Sequence, residues 1–388
     1  MIRHLFRMIW NQKRRNMGLM LEIFFSFMVL FAVLTFILYN YNHYRQPPGF
    51  DYKPVWALYM DWKDAPMTEV QNVQTEVKRI LERAPEVAAA SLAGSMIPYG
   101  QSTSITGVSK GEADFYPHVW GADADFPAVM DIAILEGRWF DRRDAAATHQ
   151  PIVINKTLRE QLFGDENAVN ELITHCDDKQ LQIVGVVGNY KYEGEFSKLD
   201  PGYFFQIDTT RYPNVMVMKV RPSADGAFEA RLMRQLNQLA AGWSFELRYM
   251  KDMRRRAHNQ TLVPVLILLI ISGFLIFNVA LGLFGVLYYN INKRRQEVGV
   301  RRAMGANRGH ISAQFIGEVL VIATFSLTPG LFFAIQFPLL QVFAVPGSVY
   351  FMAIILAILL IYTLVLLCSF YPGRQAAQLH PAVALHEE

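Results

Sequence analysis

The sequence predicts a membrane protein of four transmembrane α-helices, with a large α/β extracytoplasmic domain between helices 1 and 2. Three observations carry that prediction. Of 388 residues, 52% are apolar and only 18% charged, with a mean hydropathy of +0.16; a soluble domain carries about a quarter charged residues. The apolar residues gather near the N-terminus and across the last third, leaving a polar middle. Lys and Arg cluster beside the apolar runs, whereas residues 42–258 hold 25 Lys+Arg against 29 Asp+Glu. Wholly soluble, disordered and fibrous classes are excluded, and two cysteines exclude a disulfide-stapled scaffold.

Crossing a bilayer takes about 20 predominantly apolar helical residues. Four segments qualify, at residues 17–41, 259–291, 311–337 and 350–371. The first is an anchor and not a cleaved signal: its apolar run is too long, and YNYNHYRQPPG offers no small-residue cleavage site. Glu22 lies inside it. A carboxylate costs about 3 kcal/mol at mid-bilayer, while each Leu, Ile, Phe or Val returns roughly 0.3 to 0.6. Fourteen of the 20 positions from Leu19 to Leu38 carry those four types, so insertion wins, with Glu22 expected to snorkel or pair at the basic end. Pro329-Gly330 marks a break or a packing kink in the third span.

Charge placement sets the orientation. Arg3, Arg7, Lys13, Arg14 and Arg15 lie in a basic amphipathic segment, 1–16, without an acidic residue. Lys293, Arg294, Arg295, Arg301, Arg302 and Arg308 stand between spans two and three against Glu297 alone. The QVFAVPGS turn between spans three and four is uncharged. The positive-inside rule therefore puts both termini, the 292–310 loop and the 372–388 tail in the cytoplasm, and residues 42–258 on the far side. The basic surplus is topological and gives no nucleic-acid reading.

In the middle, Val55 to Trp62 reads as a strand, Val70, Val73, Val77 and Leu81 as one helix face, and Glu86 to Leu92 as a strand. A second unit of the same kind follows: strand 215–220, a helix over 224–241 with Phe228, Leu232 and Leu236 aligned, and strand 245–250. Two βαβ units separated by a long insertion predict a split ferredoxin-like lobe, 52–93 with 214–250, holding a β-rich insert over 94–213. Strand-like stretches in the insert fall at Tyr116–Trp120, Pro151–Ile154, Leu181–Val187 and Tyr203–Ile207. Asp252 onward reads as a basic helix running into the second span.

Catalytic signatures are missing from these residues. No Gly-Lys dipeptide occurs, hence no P-loop, and there is no H-E-x-x-H, C-x-x-C or G-x-S-x-G. Cys176 and Cys368 fall on opposite sides of the membrane. Asn155-Lys-Thr157 and Asn259-Gln-Thr261 match the glycosylation pattern, which also arises by chance. Only Glu22 and Glu318 are ionisable within the spans, both toward the cytoplasmic ends, which is a poor basis for a transport path through the bilayer. The informative segment is NKRRQEVGVRRAMGANRGHISAQFIGE. Gln296 to Met304 reads as a short helix with a Glu297–Arg301 i,i+4 pair and an apolar face of Val298 and Met304. Gly305 supplies a stop and Asn307 a cap for the third span. That is either a docking knob or a plain basic turn.

R-x-x-E-V-G-V-R-R-A-M-G-A, Arg294 to Ala306, followed by Glu318, resembles the signature of the MacB/FtsX-type ABC transporter permeases. The tail from Tyr371 to Leu385 is similar in Pro372, Ala376, Ala377, Pro381 and Leu385, and LEGRWFDRRDA, PIVINKTLREQLFG and IVGVVGNYKY resemble the family's periplasmic motifs. Glu166-Asn-Ala-Val-Asn-Glu171 departs from the family's usual turn after Leu-Phe-Gly. The resemblance implies a non-catalytic permease subunit in a bacterial inner membrane. It would bind no cofactor itself and work with a separate ABC-type ATPase that holds ATP and magnesium. A second permease would complete a dimer, with lipid around it and a periplasmic adaptor and outer-membrane duct as further partners; nucleic acid is not among them. Arg294, Glu297, Gly299, Arg301, Arg302, Ala303, Gly305 and Ala306 are the implied ATPase-coupling residues. The implied mechanism is mechanotransmission, in which ATP binding and hydrolysis move the periplasmic domain to export or extrude a substrate. Activation of a cell-wall hydrolase is the alternative within the family, and a membrane ligand sensor the alternative outside it.

Overall fold

A computed structural model describes residues 13–100, 102–141, 143–144, 147–207, 213–304 and 307–377. The chain forms two compact units, one of residues 43–261 and one of the helices on either side.

Among the described residues four helices are long and apolar enough to cross a membrane, and they make up most of the second unit. They are α1 (Lys13–Tyr44), α6 (Met250–Lys293), α8 (Arg308–Leu339) and α9 (Gly347–Ala377), with the short α7 (Arg295–Ala303) between α6 and α8. Of the basic 1–16 segment, residues 1–12 lie outside the described residues. The buried core of this unit joins Ile23 and Phe27 of α1 with Leu283 of α6, Phe315 and Ile322 of α8 and Tyr350 and Ile361 of α9, and includes Ala323, Ala334, Ala353 and Ala357. Small side chains let helices approach where lipid removes the hydrophobic drive for association.

α8 runs unbroken through Pro329. Next to it, a Cβ on Gly330 would stand 2.6 Å from Phe27 Cδ1, so the missing side chain is the seat of the Phe27 ring. Glu22 turns toward α6, and the side chains of Lys13, Arg14 and Arg15, the basic end it was expected to meet, lie outside the described residues. Glu22 is half-buried, its Oε2 would lie 2.7 Å from a Cβ on Gly282, and no ion pair to it occurs among the described residues.

In the other unit β1 (Val55–Asp61), α2 (Met67–Arg83), β2 (Val87–Ala93), β11 (Val215–Val220), α5 (Gly226–Leu239) and β12 (Ser244–Tyr249) form the split lobe. Its strands lie β12-β1-β11-β2, all antiparallel, which is the ferredoxin-like order. β1 is apolar at almost every position because both faces are covered. Trp56 and Leu58 pack under α2 and α5 with Val70, Leu81, Phe228 and Leu232, while Val55 and Ala57 face the opposite core.

The insert contributes β3 (Val108–Lys110), β4 (Ala113–Phe115), β5 (His118–Ala122), α3 (Phe126–Met130), β6 (Ile134–Gly137), β7 (Gln150–Asn155), α4 (Lys156–Phe163), β8 (Leu172–His175), β9 (Gln180–Val187) and β10 (Gly202–Gln206). It continues the same sheet, in the order β5-β10-β7-β9-β8-β3-β4, with β6 pairing β9. β5 starts two residues later than its apolar pattern predicts, since Pro117 has no N–H for the ladder. The split lobe and the insert it holds share one sheet, joined through the pair Ala93 with Ala122. Asp123 secures that narrow junction. Its carboxylate accepts from Ser91 Oγ at 2.6 Å, the Leu92 N–H at 2.9 Å and Lys78 Nζ at 2.8 Å, and its carbonyl accepts from Trp139 Nε1 at 3.0 Å.

The unusual turn after Gly164 is seated by Ala168, which is fully buried, and by the Asn170 N–H bonded to the Ile183 carbonyl at 2.7 Å. Asn155 is also buried. It caps α4 through the Leu158 N–H and donates to the Asp200 carbonyl, which removes it as a glycan acceptor. Both cysteines are free thiols.

Candidate functional site

The loop between α6 and α8 carries the candidate coupling residues. α7 forms where Glu297 and Arg301 sit one turn apart, and the two pair at 2.5 Å. Asn307 caps α8, its side chain accepting from the Gly309 N–H at 3.2 Å. Gly305 and Ala306 lie outside the described residues, and of Arg302 and Ala303 only the helical backbone is described.

Arg294, at the α6–α7 corner, donates from one guanidinium nitrogen to both oxygens of Glu318 on α8, at 2.8 and 3.0 Å. Glu318 keeps 7% and Arg294 20% of its side-chain exposure. Glu318 also accepts from Gln314 Nε2 at 3.4 Å, and Gln314 Oε1 accepts from Arg301 at 2.8 Å. A continuous polar chain thus runs Glu297, Arg301, Gln314, Glu318, Arg294. It fastens α7 to α8 by side chains as well as by the backbone. Gln314 was not among the residues read from the sequence, though its position one turn before Glu318 puts it on the same α8 face.

The two apolar residues assigned to one face of α7 part company. Val298 is buried with Ile311 and Phe315, and Gly299 is buried beside it, whereas Met304 is 76% exposed. Six residues advance a helix by about 600°, which places Val298 and Met304 on different sides. The exposed side therefore carries Val300 and Met304 beside the half-exposed Glu297 and Arg301, a small apolar tip within a charged rim. Of the tail residues, Pro372, Ala376 and Ala377 extend α9, with only their backbone described; Pro381 and Leu385 lie outside the described residues.

The domain of residues 43–261 holds a second polar centre, which sequence reading missed. A cleft of about 780 Å³ is lined by Tyr59, Tyr99, Tyr192, Glu193, Arg248 and Arg256, among others. In its wall the Glu195 carboxylate, 7% exposed, accepts from Arg254, from His258 Nε2 at 2.7 Å and from the Tyr99 hydroxyl at 3.1 Å. Burial pushes the Glu195 pKa up, but the Arg254 and His258 hydrogen bonds outweigh it and hold the carboxyl below its ordinary value. Burial and the neighbouring Glu195 charge both push the Tyr99 hydroxyl well above its ordinary value. Glu195, Arg254 and His258 come from segments 59 residues or more apart, and the only local signal was the i,i+4 spacing of Arg254 and His258. No cluster of three metal-ligating side chains occurs among the described residues.

Four membrane-length helices, a ferredoxin-like lobe with a β-rich insert in the same sheet, and a basic helical loop fastened to the third span define a membrane-embedded permease-type subunit. Residues 32–235 match the family model of the MacB-like periplasmic core domain, and residues 269–381 that of the FtsX-like permease C-terminal domain. The chain belongs to the MacB/FtsX-type family of ABC transporter permeases. The pyoverdine export ATP-binding/permease protein of Pseudomonas aeruginosa is 26% identical over 72% of this chain and 43% of its own length. The ABC transporter permease YvrN of Bacillus subtilis is 24% identical over 79% of this chain and 80% of its own length. This chain spans less than half the length of the ATP-binding/permease relative. The crystal structure of the periplasmic region of MacB from Actinobacillus actinomycetemcomitans matches 54% of this chain and 94% of its own at 13% identity, with a TM-score of 0.40.

Proposed function

We propose that this chain is the permease subunit of an export-type ABC transporter, dimeric with itself or a second permease, and that an ATPase subunit docks on α7. Both termini and the α7 loop face the cytoplasm, as the Lys and Arg bias indicates, and the 43–261 domain faces the periplasm. ATP-driven closure of the ATPase pair displaces α7; the periplasmic domain moves in response and expels a substrate that need not cross the bilayer through this subunit. Nucleotide and magnesium belong to the ATPase. The kinship with a permease of similar length and with an export protein supports this reading.

The observation that carries it is the polar chain from Glu297 to Arg294 through Gln314 and Glu318. A docking helix transmits displacement only if it cannot hinge against its span. Here the Arg294–Glu318 ion pair ties the α6–α7 corner to α8 and the Arg301–Gln314 bond ties α7 to α8, which leaves Val300 and Met304 for the partner. Arg302, Ala303, Gly305 and Ala306 are assigned to the same contact, and Gly299, buried beside Val298, to the packed inner face of α7.

The test is purification of the tagged chain from native membranes, with identification of what accompanies it. A P-loop ATPase retained by the wild type and lost on Met304→Glu or Glu297→Lys is the expected result. Recovery of a kinase or a wall hydrolase with no ATPase would overturn the proposal.

A further inference from the structure

Loop 190–198 of the domain does two jobs at once. Lys191 is 1% exposed, and its Nζ donates to the carbonyl of His43 at 2.6 Å and to that of Glu195 at 3.1 Å. His43 stands one residue from the end of α1, where the dipole favours a cation, and its carbonyl also accepts the Gln46 N–H at 3.0 Å. The Lys191 N–H also bonds the Pro48 carbonyl at 2.9 Å. Four residues on, the Glu195 carboxylate holds Arg254 and His258, which lie one turn apart near the start of α6. An aromatic layer joins the same parts: Tyr44 stacks on Phe196 with centroids 5.2 Å apart, and Phe196 meets the His258 ring at 5.0 Å. Gly49 lets the segment after α1 lie against this loop. Its φ is +87°, and a Cβ there would overlap the Asn189 carbonyl oxygen at 1.7 Å.

One short loop therefore grips the last turn of α1 with a buried ammonium and the first turns of α6 with a buried carboxylate. These are the two helices that enter and leave the domain. We propose that loop 190–198 is a clasp that makes the end of α1 and the start of α6 one rigid joint with the α/β domain, with Lys191 and Glu195 as its positioning residues. The proposal rests on the transporter reading for its purpose: a domain driven by helix motion needs both helices fixed to it, or the displacement is lost as fraying. Neither residue touches a substrate in this assignment.

The experiment is amide hydrogen exchange on the full chain in lipid nanodiscs, wild type against Glu195→Gln, Lys191→Met and Phe196→Ala. Loss of one buried charge-assisted bond is worth about a tenfold change in local opening. Glu195→Gln and Lys191→Met are each expected to speed exchange over 43–48 and 251–261 together by about that factor, and Phe196→Ala over the same two segments by less, with β7 and β9 unchanged. Acceleration of only one helix end, or of the whole domain equally, would overturn the clasp. The Phe196→Ala variant, which removes no buried charge, keeps the test decisive should the charged variants fail to fold. A second arm adds the co-purified ATPase and ATP. Glu195→Gln should keep ATP hydrolysis and lose the ATP-dependent change in exchange across the domain. Wild-type protein showing no ATP-dependent change would sink the transporter reading while leaving the clasp to the first arm.

Discussion

Arg294 and Glu318, 24 residues apart in sequence, are joined by two hydrogen bonds from a single guanidinium nitrogen, at 2.8 and 3.0 Å. One sits at the corner between α6 and α7, the other inside α8. Breaking a buried pair strands an uncompensated charge and costs about 3–5 kcal/mol, whereas replacing both partners by apolar residues is often neutral. Glu318→Ala should lower the midpoint of thermal unfolding in detergent by several degrees, and Arg294→Met with Glu318→Leu should recover most of the loss. Equal destabilisation by the single and double variants would contradict the pairing.

Gly330 and Gly282 look alike in sequence and should behave differently. A methyl at Gly330 meets the fully buried Phe27 ring at 2.6 Å, and overpacking of this kind costs about 1–3 kcal/mol. At Gly282 the obstacle is the end of the flexible Glu22 side chain, which can rotate away. Gly330→Ala is expected to reduce folded yield and Gly282→Ala to leave it intact, with Phe27→Leu partly rescuing the former. Fluorescence-detected size exclusion reads all three.

Lys191 carries a pH signature. Burial lowers its pKa to about 8, with the Glu195 charge opposing the shift. The folded-state pKa lies below the unfolded value of about 10.4, so between those limits the unfolded chain binds more protons. This group's unfavourable contribution is therefore fully present below about pH 8 and is relieved as pH rises toward 10.4. Glu195, depressed, contributes stability that is lost as pH falls below the ordinary carboxylate range. Unfolding midpoints measured from pH 7.5 to 10.5 should rise more, or fall less, in the wild type than in Lys191→Met. Parallel curves would refute the assignment.

Asp123→Ala should loosen the junction of the two lobes. It removes the acceptor of Ser91, of the Leu92 N–H and of Lys78 beside the only ladder pair that joins β2 to β5. Lys78 keeps Asp125 and Ser91 keeps the Leu92 carbonyl, so the expected cost is about 1–3 kcal/mol, chiefly from the stranded Leu92 N–H. Limited proteolysis should then cut between the lobes before it cuts within either.

The α/β character of the ectodomain was legible because its helices are amphipathic on one clean face: Val70, Val73, Val77 and Leu81 are all buried, as are Phe228, Leu232 and Leu236. The spans were legible because hydropathy alone reveals them. What stayed hidden depends on chain reversal. Nothing local says that Glu318 will meet Arg294, or that Lys191 will find the carbonyl of a residue 148 positions earlier. The misplaced partnership of Val298 with Met304 had a local remedy, since helical angle alone separates them. The shared sheet had none: Ala93 and Ala122 carry no pairing signal.

The central position of β11 in the split lobe also sets an order of events during synthesis. β1 and β2 leave the ribosome early, yet neither contacts the other in the sheet; the strand between them, Val215–Val220, is made well over a hundred residues later. The insert, by contrast, has all its strands once Gln206 has been made. Domains fold as units once their chain is complete, and long-range strand pairing is slow. The later-made insert is thus the first part able to fold, and the lobe that begins the domain is the last to close around it.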